Sequence, residues 1–294
     1  MKTAFELQTY KSEIKPTWCP GCGDFAVLSA LQKAIHGLQL EPWNVVLVSG
    51  IGCSSNLPHF LSTYGFHGLH GRSIPVASGI KLANPDLHVI ITGGDGDGYG
   101  IGLGHTLHAM RRNLDVTYLV MNNQIYGLTT GQASPTSEKG MKTKSTPNVG
   151  VIENPIDPIA LAITAGATYV ARAFSGDAKH MADLVQRGIE HRGFALIDCL
   201  SPCVTYNRTN TYDFFRERVY DLNQEGHDPK DMKAAVARAL EWPTAQRDRI
   251  PIGVFYQAEG VPIYEEMEPG LRQGPLTKAR LGIEDPDELM KEFL

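Results

Sequence analysis

Residues 87–130 read LHVIITGGDGDGYGIGLGHTLHAMRRNLDVTYLVMNNQIYGLTT, and this stretch decides the fold. Leu87 to Thr92 is a short apolar, β-branched run that breaks at Gly93 and Gly94, the pattern of a buried strand bounded by a turn. Ile101 to Arg112 carries apolar residues at helical spacing, and Val116 to Met121 is a second apolar run too short for a helix. Parallel strands need a crossover long enough to hold a helix, and this segment has room for one. Right-handed βαβ closure then sets the ends of both strands, Gly94-Asp95-Gly96 and Asn122-Asn123, side by side at the sheet edge where ligands bind.

The residue types at that edge suit a magnesium diphosphate. Asp95 offers a hard carboxylate, Asn123 an amide oxygen, and the following turn a backbone carbonyl, that of Ile125. Gly94, Gly96 and the further glycines at 98, 100 and 102 let backbone N–H groups approach phosphate oxygens near a helix start. A plain glycine-rich turn would explain GDG alone, but not GDG with NN 28 positions later across a βαβ unit. No GxGxxG runs through these glycines, and no Gly-Lys pair exists to build a Walker A loop.

The five cysteines fall into a pattern around the same edge. Cys19 and Cys22 stand in Trp-Cys-Pro-Gly-Cys-Gly, where the Pro-Gly turn lets both sulfurs converge, as metal ligands or as a redox dithiol. Asp24 is read as the cap of a helix running to Leu38, with Gly37 as its stop. Val45 to Val48 reads as a buried strand closing at Gly50-Ile51-Gly52-Cys53-Ser54, and Phe194 to Cys199 as another, followed by Cys203 in Ser-Pro-Cys. Cys199 lies within its strand, where a thiol is a small core hydrophobe. Four thiolates at Cys19, Cys22, Cys53 and Cys203 would satisfy tetrahedral zinc or an iron–sulfur cluster, and spacing alone leaves the two open.

Between these elements, His59, His67 and His70, with His88 beyond, lack the carboxylate and spacing of a chelating face; His70 and Arg72 are better suited to an anionic substrate or diphosphate. Ser73 to Leu82 reads as a helix stopped by Asn84-Pro85, and Gly131 to Asn154 as a polar loop long enough to be a lid or interface. Asp157 opens a helix, Thr168 to Ala171 suggests a strand, and Asp177 to His191 a further helix. This alternation predicts an α/β sheet, mostly parallel and covered by helices on both faces. The expected organisation is one main domain over residues 1–210, with 211–294 as an extension packed on it or on a partner. Ile252 to Tyr256 is the one strand-like run in that last part.

A net charge of −5, a pI near 6.1 and no basic run beyond Arg111-Arg112 leave nucleic acid without electrostatic support. No stretch approaches the apolar length of a membrane span, and MKTAFELQTYKSEIKPTW lacks a signal-peptide core, so the expected location is cytoplasmic and no membrane partner is expected.

The string GDGDGYGIG…VMNNQIYGLTTGQASPT, together with WCPGCGD at Trp18 and SPCVTYN at Ser201, resembles the β subunits of 2-oxoacid:ferredoxin oxidoreductases, most closely the 2-oxoglutarate type. The likeness covers about two thirds of the chain and ends near Asn210. It implies the thiamine diphosphate (ThDP) fold, with ThDP and Mg²⁺ held by the GDG…NN pair. The implied cofactor surroundings are Ile51, Gly52, Cys53, Ser54, His70, Gly94, Asp95, Gly96, Asp97, Asn123, Ile125, Gly127 and Leu128, with Asp95, Asn123 and Ile125 on Mg²⁺. It also implies one 4Fe-4S cluster on Cys19, Cys22, Cys53 and Cys203, and substrate contacts from His70, Arg72 and Thr129. The reaction implied is oxidative decarboxylation of 2-oxoglutarate with coenzyme A to succinyl-CoA and CO₂, the electrons passing singly through the cluster to ferredoxin. Pyruvate or a broad range of 2-oxoacids is the alternative substrate. The glutamate that activates ThDP lies in a second domain in such enzymes, so an α subunit is expected, in an αβ or (αβ)₂ assembly. Thr130 stands where some relatives of broader substrate range carry lysine, which removes one cation for a distal carboxylate. A non-redox ThDP decarboxylase and a zinc-bearing Mg-nucleotide module are the other classes these residues would serve.

Overall fold

The computed structural model describes residues 4–245, 248–272, 274–278 and 286–291. Its strands are β1 (Val45–Ser49), β2 (Tyr64–His67), β3 (His88–Gly94), β4 (Thr117–Asn122), β5 (Ile125–Tyr126), β6 (Gln132–Ala133), β7 (Tyr169–Phe174), β8 (Ala195–Leu200), β9 (Val219–Asp221) and β10 (Ile250–Gln257). Eight of them form one sheet in the order β2, β1, β3, β4, β8, β7, β10, β9, while β5 and β6 make a separate two-stranded ribbon. The first six strands of that order are parallel throughout, and β10 joins β7 antiparallel. The predicted βαβ unit is present: β3 and β4 pair in parallel, with Gly94 opposite Met121 at their ends.

Every residue of β1, β4, β7 and β8 is buried, because helices cover both faces. On one face α1 (Asp24–Gly37) packs beside the later helix that runs Ala178–Glu190, over Leu47, Ile90, Leu119 and Ile197. On the other, α2 (Ser73–Ala83), α3 (Leu103–Arg112) and α4 (Pro158–Ala165) cover Val46, Val48, Val89, Ile91, Val120 and Leu196. Alternate residues of one strand thus feed opposite cores. A one-residue slip would exchange the two sets, each side chain being worth roughly 1.5–3 kcal/mol of burial, so the register is firmly held.

Local chemistry sets the helix ends. Asp157 caps α4 by accepting from the N–H groups of Ile159 (3.0 Å) and Ala160 (3.1 Å), Pro158 occupies the first turn, and Gly166 at φ +94° ends it. Asp177 caps α5, the Ala178–Glu190 helix, through the His180 N–H. One expected end differs. Gly23, not Asp24, caps α1, since a Cβ at Gly23 would stand 2.6 Å from the Ser201 backbone and only glycine lets the two segments cross there. α1 ends at Gly37 as expected, and the chain turns two residues later at the left-handed Gln39 (φ +52°).

The glycine-rich segment is helical sooner than expected: Gly96–Ile101 forms one wide turn, kinked at Gly100, and α3 follows from Leu103. The described residues between 211 and 257, including α6 (Tyr212–Arg216) and α7 (Met232–Ala239), contribute β9 and β10 to the main sheet and pack Phe215, Trp242, Ile250 and Ile252 against Phe174 and Leu200. Among the described residues no helix is long and apolar enough to cross a membrane.

Candidate functional site

The carboxyl ends of β1, β3 and β4 open onto a cleft whose enclosed part measures about 80 Å³. After β1 come Ile51, Gly52, Cys53 and Ser54, at the end of β3 Gly94 to Asp97, and after β4 Asn123, Ile125, Gly127, Leu128 and Thr129, with His70, Asp24, Met121 and Tyr126 also on the lining. All thirteen residues expected around the cofactor therefore meet in one cleft, with Thr129 beside them.

Asp95 is almost fully buried, at 1% exposure. Its Oδ2 accepts from the hydroxyls of Ser134 and Thr136, each at 2.5 Å. Burial pushes its carboxyl up to about 6, against the lowering effect of those two hydroxyls. A buried carboxylate held above its ordinary range, facing a cleft, is the group a divalent cation would relieve. Asn123 Oδ1 accepts from the Ile125 N–H at 3.1 Å, which folds the turn, and both residues line the cleft. Tyr126 donates to the Gly96 carbonyl at 3.0 Å, and its ring occupies the space a Gly96 Cβ would need, 2.2 Å from it. Gly96 is therefore required by packing.

Asp97 lines the cleft, yet its Oδ1 is engaged by the N–H groups of Ile51 (3.0 Å) and Gly71 (2.7 Å) and by His70 Nδ1 (2.9 Å). One carboxylate thus ties the loops after β1 and before α2 to the GDGDG turn. With Nδ1 on Asp97, His70 keeps Nε2 for a ligand.

Cys19, Cys22, Cys53 and Cys203 line a second cavity, of about 240 Å³, walled by Trp18, Val204 and Tyr206. Trp18 Nε1 donates to the Cys53 carbonyl at 2.7 Å and the Gly23 N–H to the Pro202 carbonyl at 3.2 Å, so both outer cysteine segments are fastened to the sheet edge. Burial pushes the Cys53 thiol up to about 12, and raises Cys22 as well, with Asp24 adding to both. These sulfurs would stay protonated unless a cation held them as thiolates. Among the described residues no three His, Cys, Asp or Glu side chains converge closely enough to hold a single metal ion. Cys199 is fully buried in the apolar core away from this cavity. The two spaces share a wall: Cys53, Asn123, Gly127 and Leu128 line both. A Cβ on Gly127 would lie 3.5 Å from Cys53 Sγ and 3.6 Å from Cys203 Sγ.

Comparison with known proteins identifies the family. Residues 50–199 match the family model described as thiamine pyrophosphate enzyme, C-terminal TPP binding domain, and residues 203–273 the one for the C-terminal part of the pyruvate ferredoxin oxidoreductase beta subunit. The chain is 51% identical over 261 residues to the 2-oxoacid:ferredoxin oxidoreductase subunit beta of Saccharolobus solfataricus, covering 85% of this chain and 84% of that one. It belongs to the 2-oxoacid:ferredoxin oxidoreductase β subunits. The 2-oxoglutarate oxidoreductase subunit KorB of Mycobacterium tuberculosis is 45% identical over 208 residues, 71% of this chain and 55% of the relative. The 2-oxoglutarate:ferredoxin oxidoreductase from Magnetococcus marinus, solved with 2-oxoglutarate, coenzyme A and succinyl-CoA bound, has a similar structure: TM-score 0.88 at 40% identity, covering 98% of this chain and 96% of that one.

Not every residue expected at this family's site reaches it. Arg72 precedes α2, donates to the Gly71 carbonyl at 3.2 Å and lines neither space. Thr129 Oγ donates to Gln132 at 2.5 Å, and Thr130 (φ +76°) accepts from Lys144 Nζ at 2.6 Å. A cation thus stands beside Thr130, delivered by the long loop. Other residues were not singled out from the sequence. Asp24, read from the sequence only as a helix cap, lines the first cleft fully buried, and burial pushes it up to about 7 against the lowering effect of the Cys22 thiol and the Ser201 hydroxyl. Asp198 and Arg172 stand opposite one another on β8 and β7, fully buried, with Nε and Oδ2 3.5 Å apart. Asp198 Oδ1 accepts from Asn122 (3.0 Å) and Tyr99 (3.2 Å). Their signal in the sequence was a charge inside an otherwise apolar strand, in YVARAF and in ALIDCL.

Proposed function

We propose that this β subunit holds ThDP and Mg²⁺ in the first cleft and one 4Fe-4S cluster on Cys19, Cys22, Cys53 and Cys203, and that with an α subunit, as (αβ)₂, it converts 2-oxoglutarate and coenzyme A to succinyl-CoA and CO₂, reducing ferredoxin. The observation that carries this reading is the wall common to the cleft and the cysteine cavity. It would set an electron acceptor directly against the decarboxylating centre, as a ferredoxin-linked reaction requires.

The residues fit these groups. Four thiolates around a cavity of about 240 Å³ have room for a cluster between them, whereas tetrahedral zinc would draw them to about 4 Å from one another. The buried Asp95 carboxylate, the Asn123 amide oxygen and the Ile125 carbonyl offer the oxygens Mg²⁺ takes besides phosphate and water. When bound, ThDP supplies the decarboxylation chemistry and the cluster the one-electron acceptance.

The chain's own share is positioning. Asp97 fixes His70, whose free Nε2 would meet a diphosphate or substrate oxygen. Leu128, 55% exposed, would exclude water once the partner packs over it. The distal carboxylate of 2-oxoglutarate needs a charged or multiply hydrogen-bonded partner. Thr129 and Thr130 offer hydroxyls, and basic groups of the α subunit would complete the site, with the pyrimidine-side glutamate. Five cysteines outside any disulfide, four of them on a cluster, suit the reducing cytoplasm.

The solved 2-oxoglutarate enzyme supports 2-oxoglutarate, while the family model over residues 203–273 carries the name of a pyruvate enzyme, so pyruvate is the second reading. Steady-state assays of the reconstituted αβ enzyme with coenzyme A and a viologen acceptor decide between them. A higher kcat/KM for 2-oxoglutarate is expected, from brown protein carrying about four irons per chain. A higher value for pyruvate, or colourless protein with one zinc, would overturn the corresponding part.

A further inference from the structure

The long loop after β6 does more than border the cleft: it is fastened to Asp95. Ser134 and Thr136, at 7% and 2% exposure, give both of their hydroxyls to the same oxygen, Oδ2. The 2.5 Å lengths are those of charge-assisted bonds to a carboxylate. The anchor is itself braced by the turn that carries Asn123. Thr136 Oγ1 also lies 3.1 Å from Asn122 Oδ1, Gln124 Nε2 donates to the Thr136 carbonyl at 3.0 Å, and Ser137 Oγ donates to the Gln124 carbonyl at 2.7 Å. Within the anchor the Ser134 N–H donates to Ser137 Oγ at 2.8 Å. The loop returns to the same place, since the Ile156 N–H donates to the Pro135 carbonyl at 2.8 Å. Residues 136–155 therefore leave from and come back to the carboxylate.

We infer that Ser134 and Thr136 are positioning residues for the metal site: they hold Asp95 by Oδ2, leaving Oδ1 for the cation, and so couple metal loading to the placement of the loop over residues 136–155. The inference rests on the reading of Asp95 as the magnesium carboxylate. Partners that orient a ligating carboxylate typically matter about 10–100-fold for metal affinity. A loop that merely packs against the sheet would leave that affinity unchanged.

The test uses the αβ enzyme and titrates Mg²⁺ in the presence of ThDP by calorimetry, with iron content as the control for folding. Thr136→Val, nearly the same shape without the hydroxyl, is expected to weaken Mg²⁺ binding about 10–100-fold with iron retained. Ser134→Ala should act in the same direction, and Thr136→Ser should restore most of the affinity. Hydrogen exchange over residues 137–155 should slow on adding Mg²⁺ and ThDP to the wild type, and slow less in Thr136→Val. Unchanged Mg²⁺ affinity in both hydroxyl variants, beside a loss in Asp95→Ala, would overturn this inference alone. Unchanged affinity in Asp95→Ala would overturn the metal site and the inference with it.

Discussion

Asp95 makes the pH dependence of metal loading a quantitative test. Its carboxyl sits near 6, chiefly because burial disfavours the charge, while Ser134 and Thr136 pull it back down. Mg²⁺ takes the ionised form, so affinity should be level above about pH 7 and fall about tenfold per pH unit well below 6. A hydrogen bond to a charged group is worth roughly 1.5–3 kcal/mol. Deleting the 2.5 Å bond from Thr136 should then raise the midpoint by about one to two pH units. At pH 7 the ionised fraction would drop from about nine tenths to between about a half and about a tenth. The sign for stability runs the other way. An acid held at about 6 in the fold, against about 3.9 when unfolded, costs the metal-free protein about 3 kcal/mol at neutral pH, and that cost disappears as pH falls from about 6 to about 4. Mg²⁺ binding isotherms with ThDP, taken on wild type and Thr136→Val across this range, provide the measurement. Protonation of the diphosphate is common to both proteins, so the difference between the two midpoints belongs to Asp95. Superimposable profiles would refute the reasoning.

Two further substitutions test the cysteine cavity. Cys203→Ala should lose iron and visible absorbance, whereas Cys199→Ala, in the closed core, should keep both at a cost of about 1 kcal/mol in stability; the reverse pattern, read by iron analysis and thermal melts, would exchange their roles. Gly127→Ala should be tolerated, because its methyl would find 3.5–3.7 Å contacts to Cys53, Cys203 and Asn123, but Gly127→Val should displace those sulfurs and lower iron content. Equal iron in both Gly127 variants would mean that the shared wall is not tight.

Much of the site was legible because its residues sit where apolar runs end. β3 and β4 each end in a polar or glycine signature, and parallel pairing makes the ends of such strands neighbours, so Asp95 and Asn123 could be placed together from the sequence. Cys53 and Cys203 follow strand ends in the same way. What resisted reading was reach within loops. Ser134 and Thr136 find a carboxylate 39 and 41 residues earlier, and no spacing rule constrains where a polar loop returns. Arg72 shows the converse: an arginine beside His70 suited an anion site by composition, yet its position before α2 turns it to the Gly71 carbonyl. β10 was readable as a strand from its apolar run, but its antiparallel place beside β7 was not, because an apolar run carries neither direction nor neighbour.

That last strand explains why the C-terminal segment shares a sheet with the site. Phe255 of β10 and Trp242 flank the Arg172 guanidinium, with ring centroids 5.3 and 4.9 Å away. These aromatic faces favour a cation in a dry interior. The cation in turn lowers the cost of ionising Asp198, against the burial that raises it. Asp198 accepts from Asn122, whose Oδ1 receives the Gln124 N–H and lies within reach of Thr136. The chain of partners therefore runs from Trp242 and Phe255 to the oxygen of Asp95 without leaving the interior. Buried ion pairs are weak contributors to stability compared with apolar residues of the same size. This one is better understood as fixing the geometry of the NNQ turn, and the residues from 211 to 257 as the wall that makes the pair tolerable there.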